Sequence, residues 1–170
     1  SEQLERVVED IVDFSSMQER GLDLEPVPVS EVCQSAIEAL RARATRRKVS
    51  FRVAVPPELP PVRADAQALN RVLRHLLDNA VKFSPNEGYV RITAFRSDDA
   101  EWTIAVKDNG VGIPASKRSE IFKEFFQAHE NKSVYDRPHQ GTGLGLSIVK
   151  GLVDRMGGKL KLESTEGAGT

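Results

Sequence analysis

The sequence predicts an α+β fold, a two-layer sandwich in which helices cover one face of a mixed, mostly antiparallel sheet. Helical and strand-like segments alternate along the 170 residues, and two strand-like segments in the middle follow each other closely enough to form a hairpin. Hydrophobic residues make up 39% of the chain and charged residues 29%, which are ordinary proportions for a globular domain.

The first helix, over about 2–20, carries an apolar stripe at spacings of three and four and ends at Gly21, a natural C-cap. Such a narrow stripe indicates either a partner helix or packing against the rest of this chain, and the sequence leaves both open. The stripe consists of Leu4, Val7, Val8, Ile11 and Phe14.

The later elements follow from periodicity, caps and breakers. Ser30 and Asp65 are predicted N-caps, and the proline-rich stretch 56–61 is predicted to end a strand. In order, we expect an edge strand over 22–29, a helix over 30–47, a strand over 49–55, a helix over 66–83, strands over 89–96 and 101–108, a short helical region over 114–127, a mobile loop over 129–140, a helix over 142–156, and a last strand with Leu160 and Leu162 on one face.

Composition excludes several classes of function. The 24 basic and 25 acidic residues nearly cancel and aromatic residues make up only 6%, which argues against nucleic-acid binding. Cys33 is the only cysteine, so no internal disulfide or cysteine metal cluster is possible. No apolar run is long enough to span a membrane. We expect a cytoplasmic piece of a longer protein that is not itself inserted in a membrane.

Three polar residues share one face of the predicted helix 66–83. His75, Asn79 and Lys82 are spaced i, i+4 and i+7, which places them within roughly 60° of one another around the helix. An amide oxygen suits Mg²⁺ and an ammonium group suits phosphate oxygens, although a polar helix face is often simply solvated.

Asp108 ends a strand whose alternate residues Trp102, Ile104 and Val106 are apolar, so its carboxylate is predicted to point inward. A carboxylate in that position must find hydrogen-bond donors or face a cavity. It could accept a hydrogen bond from the exocyclic amine of a purine, or it could cap its own glycine-rich turn.

Glycines at 141, 143 and 145 lie at the start of the predicted last helix. Glycines that lead into a helix N-terminus expose backbone amides to an anion. The spacing matches neither the dinucleotide fingerprint nor the P-loop.

Together these segments resemble histidine protein kinases. The stretches 73–85, 108–113, 121–126 and 141–146 resemble the N, G1, F and G2 boxes of their ATP-binding catalytic domain, in the superfamily shared with gyrase, heat-shock chaperone and mismatch-repair ATPases. The resemblance implies that 22–170 is this domain, with its final strand apparently truncated. It also implies that 1–21 is the C-terminal part of the second dimerisation helix.

The resemblance implies a site for ATP and Mg²⁺. Asn79 resembles the residue that binds the metal, Lys82 the residue that contacts phosphates, and Asp108 the residue that recognises the adenine amine. The implied ATP-binding residues are Asn79, Lys82, Phe83, Asp108, Gly110, Gly112, Ile113, Gly141, Thr142, Gly143, Leu144 and Gly145. No catalytic residue is assigned.

The implied activity is transfer of the γ-phosphoryl group to a histidine outside this chain, for two-component signalling. The implied partners are the kinase's own phosphoacceptor helices, in a homodimer, and a response regulator receiver domain. His75 departs from the family, which usually has Asn there. The alternatives are a superfamily ATPase or anti-sigma serine kinase, whose members usually have Glu at that position, and a non-catalytic nucleotide-sensing module.

Overall fold

The computed structural model describes residues 2–19, 21–124 and 143–170. These residues form four α-helices and five strands, with one turn of 3₁₀-helix at Ala115–Lys117. The elements in chain order are α1 (Glu2–Glu19), β1 (Glu25–Val27), α2 (Val29–Arg46), β2 (Ser50–Ala54), β3 (Val62–Ala64), α3 (Ala66–Phe83), β4 (Tyr89–Arg96), β5 (Trp102–Asp108) and α4 (Gly145–Arg155).

The strands form two sheets among the described residues. β2, β4 and β5 form the larger sheet in that order, with β2 parallel to β4 and β4 antiparallel to β5. β1 and β3 form a separate antiparallel pair. The predicted α+β class, its mixed sheet and the central hairpin are therefore confirmed.

One face of the larger sheet packs against α2 and α3. The alternate residues of β4, Val90, Ile92 and Ala94, are almost completely buried there, as are Leu77 and Val81 of α3. A second apolar cluster joins α3 to α4. Both clusters include residues of α3, so this helix is the element on which the rest of the domain is assembled. The second cluster contains Ala68, Val72, Leu144, Ile148, Val149 and Leu152.

The two predicted helix caps have different outcomes. Asp65 caps α3 as expected, because its Oδ1 accepts a hydrogen bond from the backbone N–H of Ala68 at 2.9 Å. Ser30 does not cap α2, which begins at Val29. Pro28 stands in front of the helix with φ −65°, a value that proline fixes and that suits a helix start, while Val29 is buried in the core.

Two predicted elements are shorter or absent. In the helical region expected over 114–127, only Ala115–Lys117 is helical among residues 114–124, and 125–127 lie outside the described residues. The strand expected around Leu160 and Leu162 is not formed, and the described ladder at the end of the chain is one isolated bridge between Thr165 and Gly169. The segment 159–164 and β5 line the same cleft, and no backbone hydrogen bond joins them among the described residues, whereas a strand needs such a neighbour.

The apolar stripe of α1 is mostly exposed. Leu4, Val8 and Ile11 are each about half exposed or more, Val7 is partly buried, and the side chain of Phe14 lies outside the described part. α1 lies beside α4 and contacts α3 through an ion pair, in which Nη2 of Arg71 lies 2.7 Å from Oδ1 of Asp13. Packing on this chain therefore accounts for only part of the stripe. None of the described helices has the length and apolar character needed to cross a membrane.

Candidate functional site

Asp108 is a buried carboxylate at the end of β5. Its Oδ1 accepts a hydrogen bond from the backbone N–H of Gly110 at 2.8 Å and a longer one from that of Thr170 at 3.3 Å. The described residues give Oδ2 no donor, and Asp108 lines a broad cleft. Burial raises the pKa of Asp108, and the two backbone hydrogen bonds partly oppose that shift. The carboxylate therefore caps its own turn with one oxygen and leaves the other for a ligand.

The turn after Asp108 is packed directly against the end of α3. A Cβ atom on Gly110 would lie 2.3 Å from the carbonyl oxygen of Phe83, so only glycine fits there. The same carbonyl accepts a hydrogen bond from the N–H of Val111 at 3.4 Å. These contacts hold the carboxylate of β5 beside the helix that carries Asn79 and Lys82.

The next residues of this turn are fixed by the C-terminal loop. Gly112 has φ +67°, and a Cβ there would lie 2.1 Å from the carbonyl oxygen of Thr165. The hydroxyl of Ser164 accepts a hydrogen bond from the N–H of Ile113 at 2.8 Å and donates one to the carbonyl of Gly169 at 2.9 Å. The floor of the cleft is thus formed by two segments about fifty residues apart in sequence.

Lys82 and Asn79 lie on the face of α3 that lines the cleft. Lys82 is only 7% exposed, and burial lowers its pKa while the carboxylate of Asp78 opposes the shift. Asp78 is itself ion-paired with Arg43 of α2. Because Asp78 is shared with Arg43, the buried ammonium group of Lys82 is only partly neutralised and can bind a further anion.

His75 lies one turn before Asn79 and meets the start of α4. A Cβ on Gly145 would lie 3.3 Å from Nδ1 of His75, so the imidazole packs against the first turn of that helix. Burial lowers the pKa of His75, and the acidic side chains of Asp10 and Asp13 in α1 are the leading opposing influences. His75 therefore joins three helices beside the cleft.

The cleft has a volume of about 1860 Å³. Of the residues that the sequence assigned to the site, the structure brings eight together on its wall: Asn79, Lys82, Phe83, Asp108, Gly112, Ile113, Gly143 and Gly145. Two more lie behind the wall, since Gly110 is buried beneath Asp108 and Leu144 belongs to the core shared with α3. Gly141, Thr142 and the loop predicted over 129–140 lie outside the described residues.

Sequence reasoning missed several residues of the cleft. Arg6, Asp10 and Asp13 of α1 line it, although their spacing at i, i+4 and i+7 places them on one helix face and could have suggested a shared neighbour. Ser164 was missed because a single serine after an alternating Leu160 and Leu162 carries no local pattern. Its role is visible only once the chain has folded back onto Ile113.

Comparison with known proteins identifies a family that matches most of the chain. The family of histidine kinase-, DNA gyrase B- and HSP90-like ATPases matches residues 64–170. A signal transduction histidine-protein kinase/phosphatase, MprB of Mycolicibacterium vanbaalenii, is 36% identical over 169 residues, which are 99% of this chain and 33% of that protein. The chain spans 8%, 33% and 41% of the length of three curated relatives that it matches.

Two solved structures share the fold. The mycobacterial sensor histidine kinase MprB is 34% identical with a TM-score of 0.67, over 78% of this chain and 82% of that one. Full-length ShkA in complex with AMPPNP is 30% identical with a TM-score of 0.81, over 96% of this chain and 33% of that one. With the family match over most of its length, the chain belongs to the histidine kinase-, DNA gyrase B- and HSP90-like ATPase family.

Proposed function

We propose that this chain is the ATP-binding catalytic part of a sensor histidine kinase, with residues 22–170 as the catalytic domain and 1–21 as the end of the second dimerisation helix. Asp108 supports the proposal most directly. It offers one oxygen of a buried carboxylate to the cleft that Asn79 and Lys82 also line. A ligand with a purine amine at one end and phosphates at the other matches that arrangement.

The purine end is the region around Asp108. An ionised carboxylate only accepts hydrogen bonds, so its Oδ2 selects a ring that presents an N–H group over one that presents a carbonyl. Phe83 and Ile113 line the cleft as well and offer apolar surface to the ring. The hydrogen bonds to Oδ1 fix the carboxylate before the ligand arrives, which reduces the entropy cost of binding.

The phosphate end is the region around Lys82 and the start of α4. The ammonium group of Lys82 favours its charged form when an anion comes close. Gly143 and Gly145 line the cleft where the positive end of the α4 dipole lies. The backbone amides and the lysine together can neutralise phosphate charge, and phosphoryl transfer depends largely on such neutralisation and on positioning.

Magnesium fits this site through Asn79. The described residues contain no group of three or more His, Cys, Asp or Glu that could hold a metal by itself. Mg²⁺ does not require such a group, because it commonly keeps several waters and takes one or two protein oxygens beside the phosphates of a substrate. When bound, the ion would supply positive charge to the phosphate oxygens, and Asn79 would hold it beside Lys82.

We propose that the histidine that accepts the phosphoryl group lies outside this chain. The imidazole of His75 packs against the first turn of α4, and the proposal gives it no role as phosphoacceptor. The exposed apolar stripe of α1 is consistent with a helix partner in a homodimer. We infer that the phosphohistidine then passes its phosphoryl group to a response regulator receiver domain, and that the chain works in the cytoplasm.

The purine contact can be tested with matched nucleotides. Inosine triphosphate replaces the exocyclic amine of ATP with a carbonyl, so the unaltered chain should bind ATP with Mg²⁺ about 10–100-fold more tightly, the range expected for a hydrogen bond to a charged group. Asp108→Asn keeps an oxygen for Gly110 and should lose this preference in calorimetric titrations. Asp154→Asn, at an exposed residue paired with Lys150, is the matched control.

Phosphoryl transfer needs a second measurement. The chain should not label itself from γ-labelled ATP, should hydrolyse almost no ATP, and should label a separate polypeptide that carries phosphoacceptor helices. Equal affinity for ATP and inosine triphosphate would contradict the purine assignment. Rapid steady-state hydrolysis would instead favour a superfamily ATPase, and nucleotide binding without any transfer would favour a sensing module.

A further inference from the structure

The outer face of the larger sheet carries a row of three basic side chains. The strand register places Arg52 of β2 opposite Arg91 of β4, and Arg91 opposite Lys107 of β5. All three side chains are exposed and point away from α2 and α3, because their neighbours along β4, Val90 and Ile92, point into the core. We call these three residues the cation row.

The cation row is an unfavourable arrangement for the sheet by itself. Side chains directly opposite each other on neighbouring strands have Cβ atoms about 5 Å apart, and like charges at that distance repel. Within the described ranges, basic residues such as Arg41, Arg43 and Arg71 form ion pairs, but no ion pair includes the cation row. The whole chain has a net charge of −1, so this is a local concentration of positive charge.

The rest of the same face carries small side chains and ends in an exposed aromatic ring, and its β5 side borders the cleft. The next row along the strands consists of the small residues Ala54, Thr93 and Ala105. Beyond it, Phe95 lies opposite Thr103 and is 53% exposed. Phe95 lies four positions after Arg91, which is about 13 Å along a strand.

One member of the cation row is held in place. The guanidinium carbon of Arg52 lies 3.8 Å from the centre of the Tyr89 ring, a cation–π contact on this face. Such stacking restricts the side chain while leaving the N–H groups at its edge able to bind carboxylates. The face therefore combines a partly preorganised positive row, room above small side chains, and an apolar contact at a fixed distance.

We propose that the outer face of the sheet formed by β2, β4 and β5 is a docking surface for an acidic segment of another protein. The segment would be extended, with a cluster of carboxylates over the cation row and a large apolar side chain about four residues away against Phe95. Charge complementarity identifies the partner, since carboxylates would relieve the repulsion among Arg52, Arg91 and Lys107. This proposal goes beyond the nucleotide chemistry and does not depend on it.

A protein segment fits this face better than a nucleic acid or a membrane. Tyr89 is already covered by Arg52, which leaves Phe95 as the exposed aromatic of the face, whereas single-stranded nucleic acids stack on several rings. A membrane surface calls for a broad apolar face beside the charges. The row of Ala54, Thr93 and Ala105 consists of small side chains and does not provide such a face.

The test uses a synthetic peptide that carries four consecutive glutamates and, four residues further, a leucine. Amide NMR shifts of the chain on titration at low salt should change in β2, β4 and β5. Arg91→Gln should weaken binding roughly tenfold, as expected for loss of one partner of a charge-assisted contact. Arg41→Gln is the matched control, because it removes the same charge from an exposed site on α2 that is paired with Glu38.

Two further measurements make the result decisive. Phe95→Ser should weaken binding of this peptide and leave binding of a leucine-to-serine version unchanged, while thermal unfolding confirms that both variants fold. Equal losses in Arg91→Gln and Arg41→Gln, or no shifts in the three strands, would show that the surface has no such role. Tighter binding of phosphatidylglycerol vesicles or of an oligodeoxythymidine than of the peptide would also overturn the proposal.

Discussion

Replacing Gly112 with alanine tests how the cleft floor is assembled. Two separate costs are expected at this position. The residue has φ +67°, where a side chain costs about 1–2 kcal/mol. The added Cβ would also lie 2.1 Å from the carbonyl oxygen of Thr165, and forcing an extra carbon into a packed site costs about 1–3 kcal/mol.

The sum predicts that Gly112→Ala lowers the free energy of unfolding by about 2–5 kcal/mol. For a domain of this size the melting temperature falls by about 2–4 °C per kcal/mol, so a decrease of roughly 4–20 °C is expected. Thr165 must move to admit the methyl group, and its bridge to Gly169 moves with it. Because that loop also holds Ile113 through Ser164, ATP affinity should fall in the same variant.

Gly157→Ala provides the control. Gly157 has φ +76°, but a Cβ there would meet nothing within 4 Å, so only the backbone cost of about 1–2 kcal/mol applies. Differential scanning calorimetry of both variants without nucleotide, followed by calorimetric titration with ATP, separates the two costs. If Gly112→Ala were no less stable than Gly157→Ala, the close approach to Thr165 would be wrong.

Two further predictions concern α3. Burial lowers the pKa of His75 in the folded chain, whereas the unfolded chain has the ordinary value of about 6.5 and therefore binds more protons just below that pH. The free energy of unfolding should therefore rise as the pH rises towards 7. His75→Asn should flatten this rise, measured by urea unfolding from about pH 5 to 7.5. Leu77→Ala should cost about 2–5 kcal/mol in urea unfolding because the side chain is 1% exposed, whereas Leu4→Ala, at 62% exposure, should cost almost nothing; equal losses would contradict the core assignment.

The sequence predicts the elements whose cause is local. α3 has its cap at Asp65 and an apolar face that extends to Val81, and the structure confirms both. The hairpin of β4 and β5 is equally clear, because alternation fixes which residues point inward. The buried position of Asp108 follows from that alternation, so the central residue of the candidate site is accessible to sequence reasoning.

Features that depend on distant neighbours are not predictable in this way. The alternation around Leu160 is that of a strand, yet no ladder forms, because hydrogen-bonding partners are set by the fold and not by the segment. The start of α2 moves to Val29 because burial of that side chain and the fixed φ of Pro28 outweigh the capping preference of Ser30. The ion pair between Asp13 of α1 and Arg71 of α3 joins residues 58 positions apart, and no pattern in either helix predicts it.

The tie between Asp108 and Thr170 has a consequence for synthesis of the protein. The backbone N–H of Asp108 donates to the carbonyl of Thr170 at 2.9 Å, and the N–H of Thr170 donates in return to the carboxylate, across 62 positions of the chain. While a ribosome is still translating this stretch, the strand and its aspartate emerge well before the loop that orients them. A nascent chain can therefore fold α3 and the hairpin early, but the carboxylate of Asp108 is held in its final orientation only after residue 170 has left the exit tunnel.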